Sequence, residues 1–478
     1  MVSSPIEPAA GTYEKQRREH WSTIANWRSP VWKGLNSYYH RRLAEIYCYL
    51  IPPGSSVLEL GCGEGDLLAA LQPGVGVGVD FAPQMIATAS RRYPDLHFAE
   101  ASAEEFDPHQ QFDFIILSDL VNDLWDVQLL LERLQRFSGP QTRIVLNTYS
   151  RLWELPRKFA ERTRLAAPLL PQNWLTTEDL ENLLELAGFE TIRHWADILW
   201  PIRTPLIDRF ENRYLVKLFP FRLFALANFL IARPKPTPLT AASVSIIVPA
   251  RNEQGNIENI FQRTEELGDA ELIFVEGNST DQTAAEIQRC ISQYPHRNCR
   301  FFRQTGTGKG DAVRLGFEKA TGNILMILDA DLTVAPEDLS RFYNALASGT
   351  AEFVNGVRLV YPMDKEAMRF FNLVGNKFFS LAFSWLLGQN IKDTLCGTKV
   401  FTRANYERIA KGRAYFGEFD PFGDFDLIFG AAKCNLKMVD MPVRYHERIY
   451  GQTNINRWRD GATLLRMVFF ALRRIKFV

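Results

Sequence analysis

Short apolar runs alternate with amphipathic stretches along two separate parts of the chain, from about 56 to 231 and again from 244 onward. Apolar runs bounded by turn residues predict strands buried on both faces, and their alternation with helical patterns predicts parallel α/β sheets. In the first part, Ser56-Val57-Leu58-Glu59-Leu60 reads as a strand, 66–71 as a helix and 75–79 as a second strand running into Asp80. A later strand over 112–117 is followed by Ser118 and Asp119. In the second part, Val244-Ser245-Ile246-Ile247-Val248 opens the pattern, with a helix over 255–267 and a strand over 271–275 behind it. A helix from Lys309 to 320 and an almost wholly apolar strand over 323–328 complete it. Prolines at 234, 236 and 238 forbid a helix between the two parts and favour an extended spacer.

The chain has 478 residues, enough for two to three domains with ample core. Lys+Arg and Asp+Glu both total 55, so neither a disordered chain nor a globally basic nucleic-acid binder is expected. Six cysteines (48, 62, 290, 299, 396 and 434) form no CxxC pair, which argues against a disulfide framework or structural zinc and fits a reducing compartment. The first thirteen residues lack a basic start followed by an apolar run, so no secretory signal is read. The most apolar segments, 218–232 and 464–472, are short of a membrane span and interrupted by Arg222 and Arg466. A cytoplasmic protein without a transmembrane helix is expected, with a unit at 13–232, a linker at 233–243 and a unit at 244–478.

The first unit carries Gly61-Cys62-Gly63-Glu64-Gly65 at a strand-to-helix turn, where glycines admit a ligand that a Cβ would exclude. Asp80, ending the next strand, stands at the separation where such folds place an acid on a ribose hydroxyl pair. A nicotinamide site would show GxGxxG instead; here the spacing is GxGxG, with Glu59 ahead and a long helical segment before the strand. These features resemble class I S-adenosylmethionine-dependent methyltransferases. The resemblance implies that the Gly61–Gly65 backbone, with Cys62 and Gly63, cradles the methionine moiety of S-adenosylmethionine. It further implies that Asp80 and Phe81 lie along the ribose, Ala103 and Glu104 beside the adenine, and Ser118-Asp119 near the methyl group. A hydroxyl acceptor calls for a general base, and His40, Asp119, Asp123 and Tyr149 are the candidates.

In the second unit, two carboxylates two residues apart, Asp329 and Asp331, close an apolar strand and point to one side of it. Two buried like charges are costly unless compensated, and Mg²⁺ or Mn²⁺ would meet that need while leaving positions for a diphosphate. Three further motifs stand at strand ends or helix starts: Pro249-Ala250-Arg251-Asn252-Glu253, Glu276 through Asp281, and Gly308-Lys309-Gly310-Asp311. In this order they resemble family 2 glycosyltransferases of the GT-A fold. The resemblance implies that Asn252, Glu253 and Asp281 flank the nucleoside and that Lys309 and Gly310 lie against base or phosphates. Asp329 would face the ribose and Asp331 would bind the metal. A sugar nucleotidyltransferase, the rival of similar fold, would carry a GxGTR loop after its first strand, and Ala250-Arg251-Asn252 is not one. The fold class expected from both halves is α/β, with two Rossmann-like domains: an N-terminal methyltransferase fold and a C-terminal GT-A fold.

Downstream, 393–401, 422–427 and 442–454 are similar to the polyprenyl-phosphate sugar transferase branch, which implies a nucleotide-diphosphate sugar donor and a polyprenyl phosphate or other membrane-associated acceptor. A hydroxyl acceptor needs a base, for which Asp424 or Asp426 is the choice; a phosphate acceptor needs charge neutralisation, which Arg448 and Lys399 could supply. Inversion by single displacement is expected. From Arg448 to the C-terminus seven basic residues face one acid, and Leu464, Val468, Ala471 and Ile475 share a helix face. That face suits either the surface of an anionic membrane, on its inner side, or the helix's own domain. The chain is thus expected to pair sugar transfer with methylation of the same sugar or lipid-linked product. The competing expectation makes the first unit a scaffold without catalysis, and nucleic acid is expected as a partner of neither.

Overall fold

The computed structural model describes residues 6–26, 30–163, 169–358, 360, 370–417, 420, 423–448, 450–451 and 457–478. The chain divides into two compact units, Met1–Lys235 with Phe477–Val478, and Pro236–Lys476. Each is built on a mixed sheet of seven strands.

The first sheet contains β1 (Ser56–Leu60), β2 (Val75–Asp80), β3 (His97–Glu100), β4 (Phe112–Ser118), β5 (Ser138–Tyr149), β6 (Phe189–Asp197) and β7 (Ala227–Pro234). Their order is β3-β2-β1-β4-β5-β7-β6, with β7 antiparallel to both neighbours and the first five strands parallel. Alternation along the strands sorts their side chains into two cores. Leu58, Leu60, Ile115 and Leu117 join one cluster; Val57, Phe114 and Ile116 join the other with Tyr39 and Tyr47 of the helix Pro30–Leu50. The helix Thr177–Leu186 starts at a reciprocal cap, in which Asp179 N–H donates to Thr176 Oγ1 and Thr176 N–H to Asp179 Oδ2.

The second sheet contains β8 (Val244–Ala250), β9 (Glu271–Glu276), β10 (Cys299–Arg303), β11 (Ile324–Ile327), β12 (Phe353–Val357), β13 (Lys399–Thr402) and β14 (Met438–Pro442). The order is β10-β9-β8-β11-β13-β12-β14, with β13 antiparallel to both β11 and β12. Every residue of β9 and β11 is buried, as continuous apolar runs require. Ile247, Ile273, Leu325 and Ile327 pack on one face, and Ile246, Val248, Leu272, Phe274 and Met326 on the other.

In both sheets the first strand lies between the second and the fourth, so the crossovers leave it in opposite directions. A crevice opens at the carboxyl ends of β1 and β4, and another at those of β8 and β11, which is where open α/β sheets take ligands.

Two expectations change. The linker read at 233–243 starts later, because Arg233 and Pro234 complete β7, where Arg233 is buried and donates to Glu190 at 2.6 Å. The stripe Leu464, Val468, Ala471, Ile475 is not a lipid-facing surface. It packs into the core of its own unit against Phe383, Leu387 and Phe429, because those apolar side chains flank it. Among the described residues no helix is long and apolar enough to cross a membrane.

Candidate active sites

At the first crevice, Gly63 and Gly65 both hold left-handed backbone, φ 53° and 78°. A Cβ on Gly65 would lie 2.6 Å from the Phe98 ring, whereas one on Gly63 would meet nothing within 4 Å and project into open space. Gly63 N–H donates to Asp80 Oδ2 at 3.0 Å and Ala82 N–H to Oδ1 at 2.9 Å, so the acid also pins the glycine turn. Burial raises the Asp80 carboxyl against those two amides. An open cradle beside a half-exposed carboxylate fits S-adenosylmethionine, which the backbone at 61–65 and Asp80 would hold, with Phe81 half-exposed next to them. Cys62 presents only backbone; its side chain is buried and burial pushes the thiol up. Ala103 is buried, and Glu104 accepts from Asp126 N–H at 3.2 Å.

Glu59 is buried in β1, with no hydrogen-bond partner for Oε2 among the described residues. Burial raises its carboxyl to about 8, so it is protonated at neutral pH.

The four candidate bases separate. Asp123 is enclosed by Arg17 at 2.5 Å and by Trp21 Nε1, which donates at 2.6 Å. Asp119 follows β4 with φ 54°, a strained value for a residue with a Cβ, one position ahead of the Leu120 side chain that lies against Gly61. Tyr39 hydroxyl donates to its carboxylate at 2.9 Å, Tyr149 hydroxyl at 3.3 Å and Asn147 Nδ2 at 2.6 Å. Burial lifts Asp119 to about 6, with these donors opposing. Ser118 Oγ donates to Asn147 Oδ1 at 3.0 Å, which fixes the amide. His40 packs edge-on against the Tyr39 ring, and its neighbour, not His40, reaches the acid. Tyr39, Asn147 and the Arg157 guanidinium over the Tyr149 ring went unread in the sequence. A helix position and a mid-strand amide carry no motif that announces a shared partner.

At the second crevice, Pro249 and Ala250 end β8 and Asn252 turns the chain at φ 58°. Asn252 Oδ1 accepts from Thr280 N–H at 2.8 Å, joining the two strand-end loops. Asp281 accepts from Thr283 N–H and Oγ1 ahead of the helix Thr283–Gln293, and buried Glu276 accepts from Ser279 N–H. Asp311, in the first turn of the helix Lys309–Lys319, packs against the Gly306 loop. Gly310 faces Gly423 so closely that a Cβ on it would stand 2.8 Å from Gly423 Cα.

The charged groups alternate. Lys309 Nζ pairs with Asp329 at 2.6 Å; Arg448 bridges Asp331 at 2.7 Å and Glu253 at 3.1 Å. Burial raises Asp329, yet Lys309, with Lys399 and Arg358 beyond it, outweighs burial and holds it below the usual carboxylate range. Glu253 is pushed by burial up to about 7 despite Arg448. Asp331 Oδ1 accepts from Thr333 N–H and Oγ1, and Ala330 between the two acids is buried. Gly397 matters here, since a Cβ on it would collide with both Asp329 and Lys309.

This arrangement departs from the open pair of carboxylates expected to grip Mg²⁺ or Mn²⁺. Each acid already has a cationic partner, and among the described residues no group of three metal-ligating acids, His or Cys is assembled. The residues as placed do not fit an ion; one would enter only as Arg448 leaves Asp331.

Asp424 and Asp426 lie at the start of the helix Phe425–Lys433. Lys399 is wholly buried and donates to Asp424 at 3.0 Å and to the Cys396 carbonyl at 2.5 Å, and Arg413 holds Asp426 at 2.7 Å. Lys399 is therefore enclosed behind the crevice, while Lys309 and Arg448 are the cations at its mouth. Arg358, forked onto Asp393 at 2.7 and 2.9 Å, was not read from the sequence. Residues 452–454 lie outside the described residues.

Residues 33–194 match the family model "Methyltransferase domain", and residues 245–409 match "Glycosyl transferase family 2". The glycosyltransferase AglJ of Haloferax volcanii is 29% identical over 231 residues, 48% of this chain and 71% of that protein. A polyprenol monophosphomannose synthase of Mycolicibacterium smegmatis is 26% identical over 235 residues, 47% of this chain and 84% of the relative. A dolichol-phosphate mannosyltransferase of Pyrococcus furiosus is 33% identical over 110 residues, 22% of this chain, which spans only 31% of that relative.

Two outcomes follow from the electrostatics. Glu59 stays protonated in the fold up to about pH 8 but ionises near 4.5 when unfolded. Its contribution is thus fully present below pH 4.5 and is lost as pH rises toward 8. Denaturant titrations should show Glu59→Gln removing ~3 kcal/mol of the stability difference between pH 5 and pH 8. Calorimetric titration of the nucleotide-free chain with Mn²⁺ should show Arg448→Ala binding at least about tenfold more tightly than the parent, because a cation has left the acids.

Proposed function

We propose that this chain, which joins a methyltransferase domain to a family 2 glycosyltransferase domain, transfers a sugar from a nucleotide-diphosphate donor to polyprenyl phosphate or another membrane-associated acceptor, and methylates a hydroxyl with S-adenosylmethionine. The observation that carries the first half is the row Lys309–Asp329, Arg448–Asp331 at the carboxyl ends of β8 and β11. The named relatives that act on polyprenol and dolichol phosphates support the acceptor class.

The reaction is read as one displacement. The acceptor oxygen attacks the anomeric carbon, the bond to the diphosphate breaks on the opposite face, and the electron pair leaves with the nucleoside diphosphate. Charge grows on the departing diphosphate, and Lys309 and Arg448 are the side chains positioned to balance it. A phosphate acceptor is already anionic, so no proton need be removed.

In the first unit, the cofactor supplies a methyl group on a cationic sulfur. Asp119 takes the proton of the acceptor hydroxyl, while Tyr39, Tyr149 and Asn147 hold its carboxylate in place. The same sugar or lipid-linked product is the proposed acceptor.

A screen of UDP-, GDP- and dTDP-sugars with lipid extraction and mass analysis tests the first activity. Product is expected with one donor class, and its loss in Lys309→Ala together with Arg448→Ala. Calorimetry with S-adenosylhomocysteine tests the second: binding is expected, and Asp80→Ala should weaken it at least about tenfold. Methyl transfer should rise with pH to a plateau above about 6, as Asp119 ionises. Asp119→Asn should bind S-adenosylhomocysteine normally yet lose at least about a hundredfold in rate. Failure of the parent to bind would leave the first unit a scaffold.

A further inference from the structure

The methyltransferase unit presents an apolar face that the described residues do not cover. After β5, the helix Glu154–Arg162 turns Leu155 and Phe159 to solvent, 76% and 67% exposed, one turn apart on one side. Between β6 and β7 the chain builds a second part of this face. Leu206 is 85% exposed and Phe219 73%, with Phe210 and Phe224 beside them in the segment 200–224.

The two parts adjoin. Trp153 Nε1 donates to the Phe224 carbonyl at 2.9 Å, and Ser150 N–H donates to the Leu226 carbonyl at 2.7 Å. The second part is not a loose loop. Asn212 Oδ1 accepts from Leu199 and Trp200 N–H at 2.7 and 2.8 Å, and its Nδ2 donates to the Trp200 carbonyl at 2.6 Å and to the Tyr38 hydroxyl at 3.0 Å. Leu206 holds φ 70° while almost wholly exposed, so the fold bears both a conformational and a hydration cost at one residue.

The charge on this face selects its occupant. Among the described residues of 151–163 and 200–224, every charged side chain that is well exposed is basic: Arg151, Lys158, Arg162, Arg203, Arg209 and Arg222. The acids of the same segments are half-buried or buried, as with Asp208, whose carboxylate accepts from Thr204 N–H. Apolar side chains rimmed by cations of one sign match a bilayer with anionic headgroups, where the hydrocarbon takes the aromatics and the phosphates take the arginines. Lys158 is met by Glu154 at 2.7 Å, and a second copy of the same face would still bring five exposed arginines against five.

We propose that the face formed by 151–163 and 200–224 seats the methyltransferase unit on an anionic lipid surface. This would bring a lipid-linked hydroxyl to the unit's crevice, and it holds whether or not the sugar acceptor is itself a lipid.

Flotation of the full chain with phosphatidylcholine vesicles, with and without about one-third phosphatidylglycerol, tests it. Binding is expected only with the anionic lipid and should weaken with salt. The double variants Phe159→Ser with Phe224→Ser, and Arg209→Glu with Arg222→Glu, should each lower vesicle binding at least about tenfold. Both should bind S-adenosylhomocysteine like the parent, which shows that the unit still folds. Leu465→Ser with Phe469→Ser, exposed positions in the helix Arg457–Ala471, serves as the comparison. The proposal is overturned if the parent ignores anionic vesicles, or if the first-unit variants bind as the parent does while the C-terminal variant does not. It is equally overturned if sedimentation velocity shows that those substitutions dissolve a dimer and leave vesicle binding unchanged.

Discussion

A carboxylate buried in or beside a sheet must be compensated or kept protonated, and each unit of this chain is organised around how it meets that demand. In the second unit the answer is cations. Lys309 meets Asp329, Arg448 meets Asp331 and Glu253, Lys399 meets Asp424, and Arg358 meets Asp393. At the carboxyl ends of β1, β2 and β4 in the first unit the answer is mainly neutral donors and protonation, whereas Asp197 at the end of β6 is met by Lys217 and Arg42. Asp80 takes two backbone amides, Asp119 takes two phenols and an amide, and Glu59 keeps its proton.

That difference suits the ligands each crevice is proposed to hold. A site whose Asp80 is met by backbone amides and not by a cation retains negative potential, which favours a positively charged sulfonium. A site whose acids are matched by Lys309 and Arg448 at its mouth has cations to share with a diphosphate, and they can turn toward it because both are partly exposed. The side chains that compensate the acids are thus the same ones proposed to bind the donor. Buried Lys399 has no such freedom and serves to hold Asp424.

Much of this was legible in the sequence because it is local. Strand, glycine turn and terminal acid at 56–80, and apolar strand with two acids at 323–331, are encoded by neighbours along the chain, so both sheets and both crevices could be read. The C-terminal helix shows the limit. Its stripe at Leu464, Ala471 and Ile475 was visible as periodic, but periodicity says that a face is buried without saying in what, and here it is the unit's own core. The exposed face at 200–224 was invisible for the converse reason, since its apolar residues follow no period.

What the sequence by itself determined is which residues end the strands and what charge they carry, since a run such as Ile324–Ile327 can be buried only one way and its acids must follow it. What only the tertiary structure decided is who answers those charges. Arg448 lies 117 positions from Asp331, and Tyr39 lies 80 from Asp119. Pairs that far apart are set by how crossovers and loops return to one sheet edge, and a carboxylate's neighbours, more than its own identity, fix whether it binds, holds a proton or gives one up.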